Sequence, residues 1–236
     1  MPQEGGIVLS THDDNGKVSL AVFDIDGTVI DGQSPVLMVF NLMKQRNFPI
    51  RTAVRAGIWG LKYKAGIATD SVNVRQGIFR VFKDMPAEET DRLITRVYQS
   101  NIAPRARQQA IERIAWHQVH GDLVILTSAS FEVIAKLFTE DLGAYGQVST
   151  RMAVEDGSYT GEIEGLPVEG PEKVVRLRAF ADEHFGEGNW KVSYSYGDHE
   201  SDEDILSLAE HPVAVNPKRR LEAIAIERGW EIQEWE

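Results

Sequence analysis

The sequence predicts an α/β fold in which a parallel sheet forms the core and a helical domain is inserted after the first strand. Three observations predict it. Short strand-like runs, VSLAVFD (18–24), DLVILTS (122–128), KVSYSY (191–196) and PVAV (212–215), alternate with stretches of helical pattern, as expected of a parallel sheet with helical crossovers. The first two runs are apolar on successive residues, like strands covered on both faces. The interval between them, 35–120, reads as helical almost throughout, and it is longer than one crossover needs.

Residues 1–17 are polar and contain glycine, so a flexible lead-in is expected. The segment has neither the basic start nor the long apolar run of a signal peptide. The strand 18–24 then ends abruptly at Asp24. Within the insertion, Leu93, Ile94, Val97 and Tyr98 recur at the helical period, as do Ala110, Ile111, Ile114, Ala115 and Val119. Pro49, Pro86 and Pro104 divide it into several helices. After the second strand a helix is expected from about Ser130 to Glu140. VSTRMAV and SYTGEIEG flank Asp156-Gly157, a turn signal that predicts a hairpin, either a flap near the site or an edge hairpin without a role. Pro171 suits the first turn of a helix ending near His184. The third strand ends at Gly197-Asp198. A short helix, the fourth strand and a last helix from about Pro217 to Gly229 complete the chain. The expected division is a flexible segment (1–17), a core (18–34 and 121–236) and a helical cap (35–120).

The 236 residues suffice for one sizeable core with an appendage. There is no cysteine, which excludes disulfides, thiolate zinc sites and a cysteine nucleophile and fits a reducing compartment. No run of about 18 apolar residues occurs, so no membrane span is expected, and a cytoplasmic protein is the expectation. The net charge is -11, which argues against general nucleic-acid affinity. The charge is uneven. Residues 44–83 hold nine basic residues and a single acid, Asp70. A basic segment on an acidic body predicts a local site for an anion; the plain alternative is a solvated helical surface.

In an open parallel sheet, ligands sit at the carboxyl ends of the strands. The first such end carries Asp24 and Asp26, the second Thr127 and Ser128, and the third Asp198 with Asp202 shortly after. Lys173 opens a helix between the second and third. Residues i and i+2 of an extended chain point the same way, so Asp24 and Asp26 repel, which raises a pKa or demands a cation. Asp198 makes the site oxygen-rich, and that suits Mg²⁺. Beside a cation, an Asp serves as a covalent nucleophile toward phosphate. Each feature alone has an ordinary reading: a solvated DxD turn, a helix cap, an exposed lysine, an acidic loop. Their order along the chain, each at a strand end, carries the argument.

FDIDGT (23–28) resembles the first motif of the haloacid dehalogenase superfamily, DxDxT. LVILTSASF (123–131) resembles the second, Lys173 in GPEKVVRL the third and GDHESDEDIL (197–206) the fourth. The resemblance runs from about residue 18 to the C-terminus. The cap placement and the tail HPVAVNPKRRLEAIA resemble the phosphoserine-phosphatase-like branch. The resemblance implies a Rossmann-like core, a cap and a Mg²⁺-dependent phosphatase acting on a small phosphorylated substrate. By this similarity Asp24 is the nucleophile and Asp26 the general acid/base, its carbonyl also reaching Mg²⁺. Thr28 holds the loop, and Ser128 in preference to Thr127 binds the phosphoryl group beside Ala129. Lys173 neutralises phosphate charge, and Asp198 is the carboxylate ligand, with Asp202 and Ser201 in support. Transfer to another acceptor, and a receiver-like or non-catalytic binder, are the alternatives.

Two departures bear on the substrate. Gln33 stands where that branch has an acid for the substrate amine, with Asp31 nearby, which argues against phosphoserine. Ala129 and Ser130 replace glycines. In the basic segment, Arg51, Arg55 and Lys62 fall on one helix face and Val54, Ile58 and Leu61 on another, with Trp59 and Tyr63 close by. This pattern suits a substrate with further anionic groups or peripheral contact with anionic lipid, or else plain cap packing. Arg75 and Arg80 are the expected substrate contacts from the cap. His199 adjoins Asp198, but the six histidines show no metal spacing.

Overall fold

The computed structural model describes residues 16–43, 54, 58 and 77–236. Six strands make one parallel sheet in the order β3-β2-β1-β6-β7-β8. They are β1 (Val18–Asp24), β2 (Leu123–Phe131), β3 (Gly146–Thr150), β6 (Trp190–Gly197), β7 (His211–Val215) and β8 (Glu231–Gln233). β4 (Met152–Glu155) and β5 (Ser158–Ile163) form a separate antiparallel pair. The helices are α1 (Ser34–Met43), α2 (Ala87–Val97), α3 (Gln108–Val119), α4 (Glu132–Asp141), α5 (Pro171–Phe185), α6 (Glu203–Ser207) and α7 (Arg219–Arg228). Residues 77–81 are also helical. The fold is therefore a Rossmann-like α/β core with a helical insertion after the first strand.

The apolar run of β1 is explained by cover on both faces. Ala21 and Phe23 join one core cluster, with Ile114 of α3, Phe138 of α4 and the inserted helices. Leu20 and Val22 join the other, with Leu177 and Ala181 of α5. Phe23 stacks on Tyr196 of β6, ring centroids 4.2 Å apart. Phe79 and Phe82, at the end of the inserted helical region, both meet Phe131 edge-on. The insertion thus shares the sheet's own core. It also returns to the sheet early: His117 of α3 lies against Phe23 and hydrogen-bonds Tyr196 Oη at 2.8 Å.

Four local expectations change. VSTRMAV is not one strand. Val148 pairs with Thr127 in the main sheet, and the chain leaves that sheet at Arg151 to form β4. The hairpin then docks on the turn before α2, where Asp84 N–H donates to Tyr159 O and Tyr159 N–H to Met85 O. Gly161, at φ 80°, lets it pack against the backbone of Arg80. β2 runs on through TSASF, with an irregularity between Ser128 and Phe131, so the next helix begins at Glu132. β8 adds an edge strand that the pattern did not announce, because two of its three residues face solvent. Val54 and Ile58, expected on a packing stripe, are helical and exposed; Leu61, Arg51, Arg55, Lys62, Trp59 and Tyr63 lie outside the described residues.

Candidate active site

Because the sheet is parallel, the ends of β1, β2, β6 and β7 share one edge. Asp24 closes β1 opposite Thr127 of β2. β6 ends at Gly197, which places Asp198 beside it, and the loop after β7 brings Lys218 in. Lys218 N–H donates to Asp198 O at 2.8 Å, tying the two loops together. A cleft of about 120 Å³ opens here, and Asp24, Asp26, Lys173, Asp198, Asp202 and Lys218 supply its charge. Gln33, Ala129, His199 and Ser201 complete the lining.

The turn after β1 is held by its own backbone: Val29 N–H donates to Asp24 O, Ile30 N–H to Ile25 O and Gly27 N–H to Ile30 O. Gly27 has φ 97°, and a Cβ there would overlap the Asp198 carboxylate. Glycine is therefore required twice, for the left-handed backbone and for the close approach. The Asp26 carboxylate accepts from Ser34 N–H at 2.6 Å, at the first residue of α1, where backbone donors lack helical partners. Gln33 Nε2 lies 3.4 Å from Asp26 O.

Lys173 is buried in the first turn of α5 and bridges two acids, Asp24 and Asp202, the latter at 2.6 Å. The other Asp202 oxygen accepts from His199 N–H at 3.1 Å, so Asp202 is occupied in fixing Lys173 and the turn after β6. Burial pushes the Asp24 carboxyl well above its ordinary pKa; Lys173 opposes this, and Asp202, Asp198 and Asp26 add to it. Burial likewise raises Asp198, with Asp202 adding and Lys218 opposing. Burial alone would lower Lys173, but Asp202 and Asp24 outweigh it and hold the ammonium charged. Lys218 Nζ sits 3.0 Å from Asp198 Oδ2.

Four carboxylates therefore face two ammonium groups, and single oxygens of Asp24, Asp198 and Asp202 lie within 4.8 Å of one another. This hard, oxygen-only donor set with surplus negative charge fits a divalent cation such as Mg²⁺.

Of the residues singled out in the sequence, the fold brings Asp24, Asp26, Ala129, Lys173, Asp198 and Asp202 to the cleft. Thr28 is buried, and its hydroxyl has no hydrogen-bond partner among the described residues. Thr127 Oγ1 lies 3.5 Å from Phe23 O, turned toward β1. Ser128 is buried and does not line the cleft, and its Oγ accepts from Ser130 N–H at 2.9 Å. Arg80 does not reach the cleft; it is exposed and faces Glu162 of the hairpin at 3.7 Å. Arg75 lies outside the described residues. Lys218 was missed. Its signal was position, three residues past the fourth strand, but it sits in a run of basic residues that reads as an exposed helix start.

The haloacid dehalogenase-like hydrolase family matches residues 21–207. The chain belongs to that family. Its relatives include a phosphoserine phosphatase of Mycobacterium tuberculosis, 28% identical over 91% of this chain and 70% of the relative. A histidinol-phosphatase of Neisseria meningitidis is 27% identical, over 91% of this chain and 97% of the relative. A Bordetella pertussis protein of unknown function has a solved structure with a TM-score of 0.78 at 26% identity, covering 91% of this chain and 97% of that one. The likeness extends to the phosphoserine-phosphatase-like branch, and the chain is a phosphatase of the haloacid dehalogenase type. Among the described residues no helix is long and apolar enough to cross a membrane.

Proposed function

We propose that the protein hydrolyses a small phosphate monoester through an aspartyl-phosphate on Asp24, with Mg²⁺ in the cleft. The observation that carries this reading is Asp24 itself, a carboxylate at a strand end, pinned by a buried lysine and open to a cleft that holds three further acids. Asp24 attacks phosphorus and its bond to the leaving alcohol breaks. Asp26, held at the start of α1, gives that oxygen its proton. Asp26 then takes a proton from water, the water oxygen attacks phosphorus, and release of phosphate restores Asp24. Lys173 fixes Asp24 and offsets charge on the phosphoryl oxygens. Ser128, at the end of β2, stays the proposed hydroxyl for the phosphoryl group; its Oγ accepts from Ser130 N–H and has its one donor proton left. Asp24, Asp198 and the Asp26 carbonyl would hold Mg²⁺, with Asp202 acting through Lys173. When bound, the cation supplies positive charge that lets an anionic carboxylate approach an anionic phosphate.

The boundary of the cap is read here at about residue 107 rather than 120, since α3 packs on the sheet. Arg75 remains the candidate substrate contact from the cap, and Arg80 is set aside. The relatives' names point to esters of amino alcohols, whose ammonium group Gln33 would meet with its carbonyl oxygen. The basic segment 44–83 supports the second reading, a substrate with additional anionic groups or one presented at an anionic lipid surface.

The test is phosphate release from a panel of monoesters, in Mg²⁺ and in EDTA. It includes phosphoserine, histidinol phosphate, sugar phosphates and lysophospholipid phosphates. Release is expected to require Mg²⁺ and to fall at least about a thousandfold in Asp24→Asn, the order of loss for a missing nucleophile. Near-wild-type turnover in that variant would remove Asp24 as nucleophile.

A further inference from the structure

The two cleft lysines are built differently. Lys173 is 2% exposed and bound to two acids. Lys218 is 51% exposed and bound through its side chain to one, Asp198, which is itself only 6% exposed. Withdrawing Lys173 would bury an unpaired ammonium or strand two carboxylates, and either costs heavily. Lys218 pays no such penalty, because its ammonium already meets water and a long flexible stem carries it. Its backbone stays anchored through the 2.8 Å bond to Asp198 O while the side chain swings.

We propose that Lys218 is a displaceable counter-cation on Asp198, and that it sets the enzyme's affinity for its divalent cation by competing for that carboxylate. This rests on the reading of Asp198 as a cation ligand. Without the cation, Lys218 neutralises a buried carboxylate that would otherwise stand unpaired. As the cation arrives, Asp198 exchanges the ammonium for it, and Lys218 turns out toward the mouth of the cleft. Each binding event therefore includes the cost of breaking one half-exposed ion pair. Asp24 differs in this: its lysine, Lys173, is buried and shared with Asp202.

The experiment is calorimetric titration of metal-free protein with Mg²⁺ and Mn²⁺, with no substrate present. It compares wild type, Lys218→Ala, Lys218→Arg and Asp198→Asn. Lys218→Ala is expected to bind the cation about three- to tenfold more tightly, as loss of a partly exposed competing pair predicts, and Lys218→Arg to stay near wild type. In parallel, acylation of Lys218 by an amine reagent, read by mass spectrometry, should speed up when Mg²⁺ is added. Unchanged affinity in Lys218→Ala, or acylation indifferent to Mg²⁺, overturns the proposal provided Asp198→Asn has lost binding. If Asp198→Asn binds like wild type, it is the placement of the cation at Asp198 that fails.

Discussion

Beneath α3, the Asp122 carboxylate accepts from Ser19 Oγ and meets His117 Nδ1 at 2.7 Å, and His117 Nε2 reaches Tyr196 Oη at 2.8 Å. At the carboxyl edge of the same sheet, Asp24 and Asp202 hold Lys173 while Asp198 holds Lys218. Both networks are largely withdrawn from water, Lys218 excepted, and both span several strands. They differ in balance. In the first, one acid meets two hydrogen-bonding neighbours and every polar side chain just named is partnered, which is how interiors tolerate polarity. In the second, four acids face two ammonium groups beside an open cleft. A surplus of like charge has no structural use at such a cost, so it marks the place where a cation and an anionic substrate are expected. Burial and hydrogen bonding alone would not have separated the two.

The comparison predicts opposite phenotypes. After the loss of the nucleophile itself, the largest effect is expected from Gly27→Ala. It forces a side chain into a left-handed backbone and against the Asp198 carboxylate, so the turn carrying Asp26 must shift. Misplacement on the order of 1 Å costs roughly a hundredfold in rate, and kcat should fall by at least that much with only a modest loss of stability. An active Gly27→Ala would show that the loop and Asp198 need not touch. The next effect is on folding. His117→Phe keeps the shape but leaves Asp122 and Tyr196 without their partner, at a cost of roughly 2–4 kcal/mol in denaturant unfolding. Its kcat and KM should be unchanged, and a selective loss of turnover would dissolve the distinction between the networks.

The sequence made one network legible and hid the other. Asp24, Asp26 and Asp198 could be placed because each sits at or just past the end of a strand-like run, and in a parallel sheet those ends must converge; Lys173 could be placed because it opens the helix between two of those strands. Asp122 begins such a run instead, His117 looks like one more polar helix residue, and their meeting depends on how α3 crosses the sheet, which no local spacing encodes. Lys218 was obscured in the same way by its basic neighbours. Ser128 and Thr127 could be set at the right strand end, but the side to which each turns follows from the register against β1 and β3. The surroundings of Arg80 were hidden for a related reason: its charge suggested the cleft, while the close approach of Gly161 sets the hairpin against its helix and Glu162 lies 3.7 Å from it.

The smallest effect is in the acid dependence, and there the networks should differ in sign. Burial alone would raise Asp122, but hydrogen bonds from His117 and Ser19 outweigh it and hold the carboxyl below its ordinary pKa. A carboxylate lowered in the folded state stabilises at pH values above its unfolded pKa of about 3.9. That contribution is lost as pH falls through the folded value. Asp24 and Asp198 are raised, so without a cation they act the other way: their contribution is present at low pH and lost as pH rises through their folded values. Asp122→Asn is expected to cost about 1–2 kcal/mol at neutral pH, the scale of hydrogen bonds to a charged group. It should also flatten the fall in stability below about pH 4. Unfolding measured in EDTA across pH 3–7 tests this. If wild type and Asp122→Asn lose stability in parallel on the acid side, Asp122 draws no net support from its ionised form and the first network is held by packing alone.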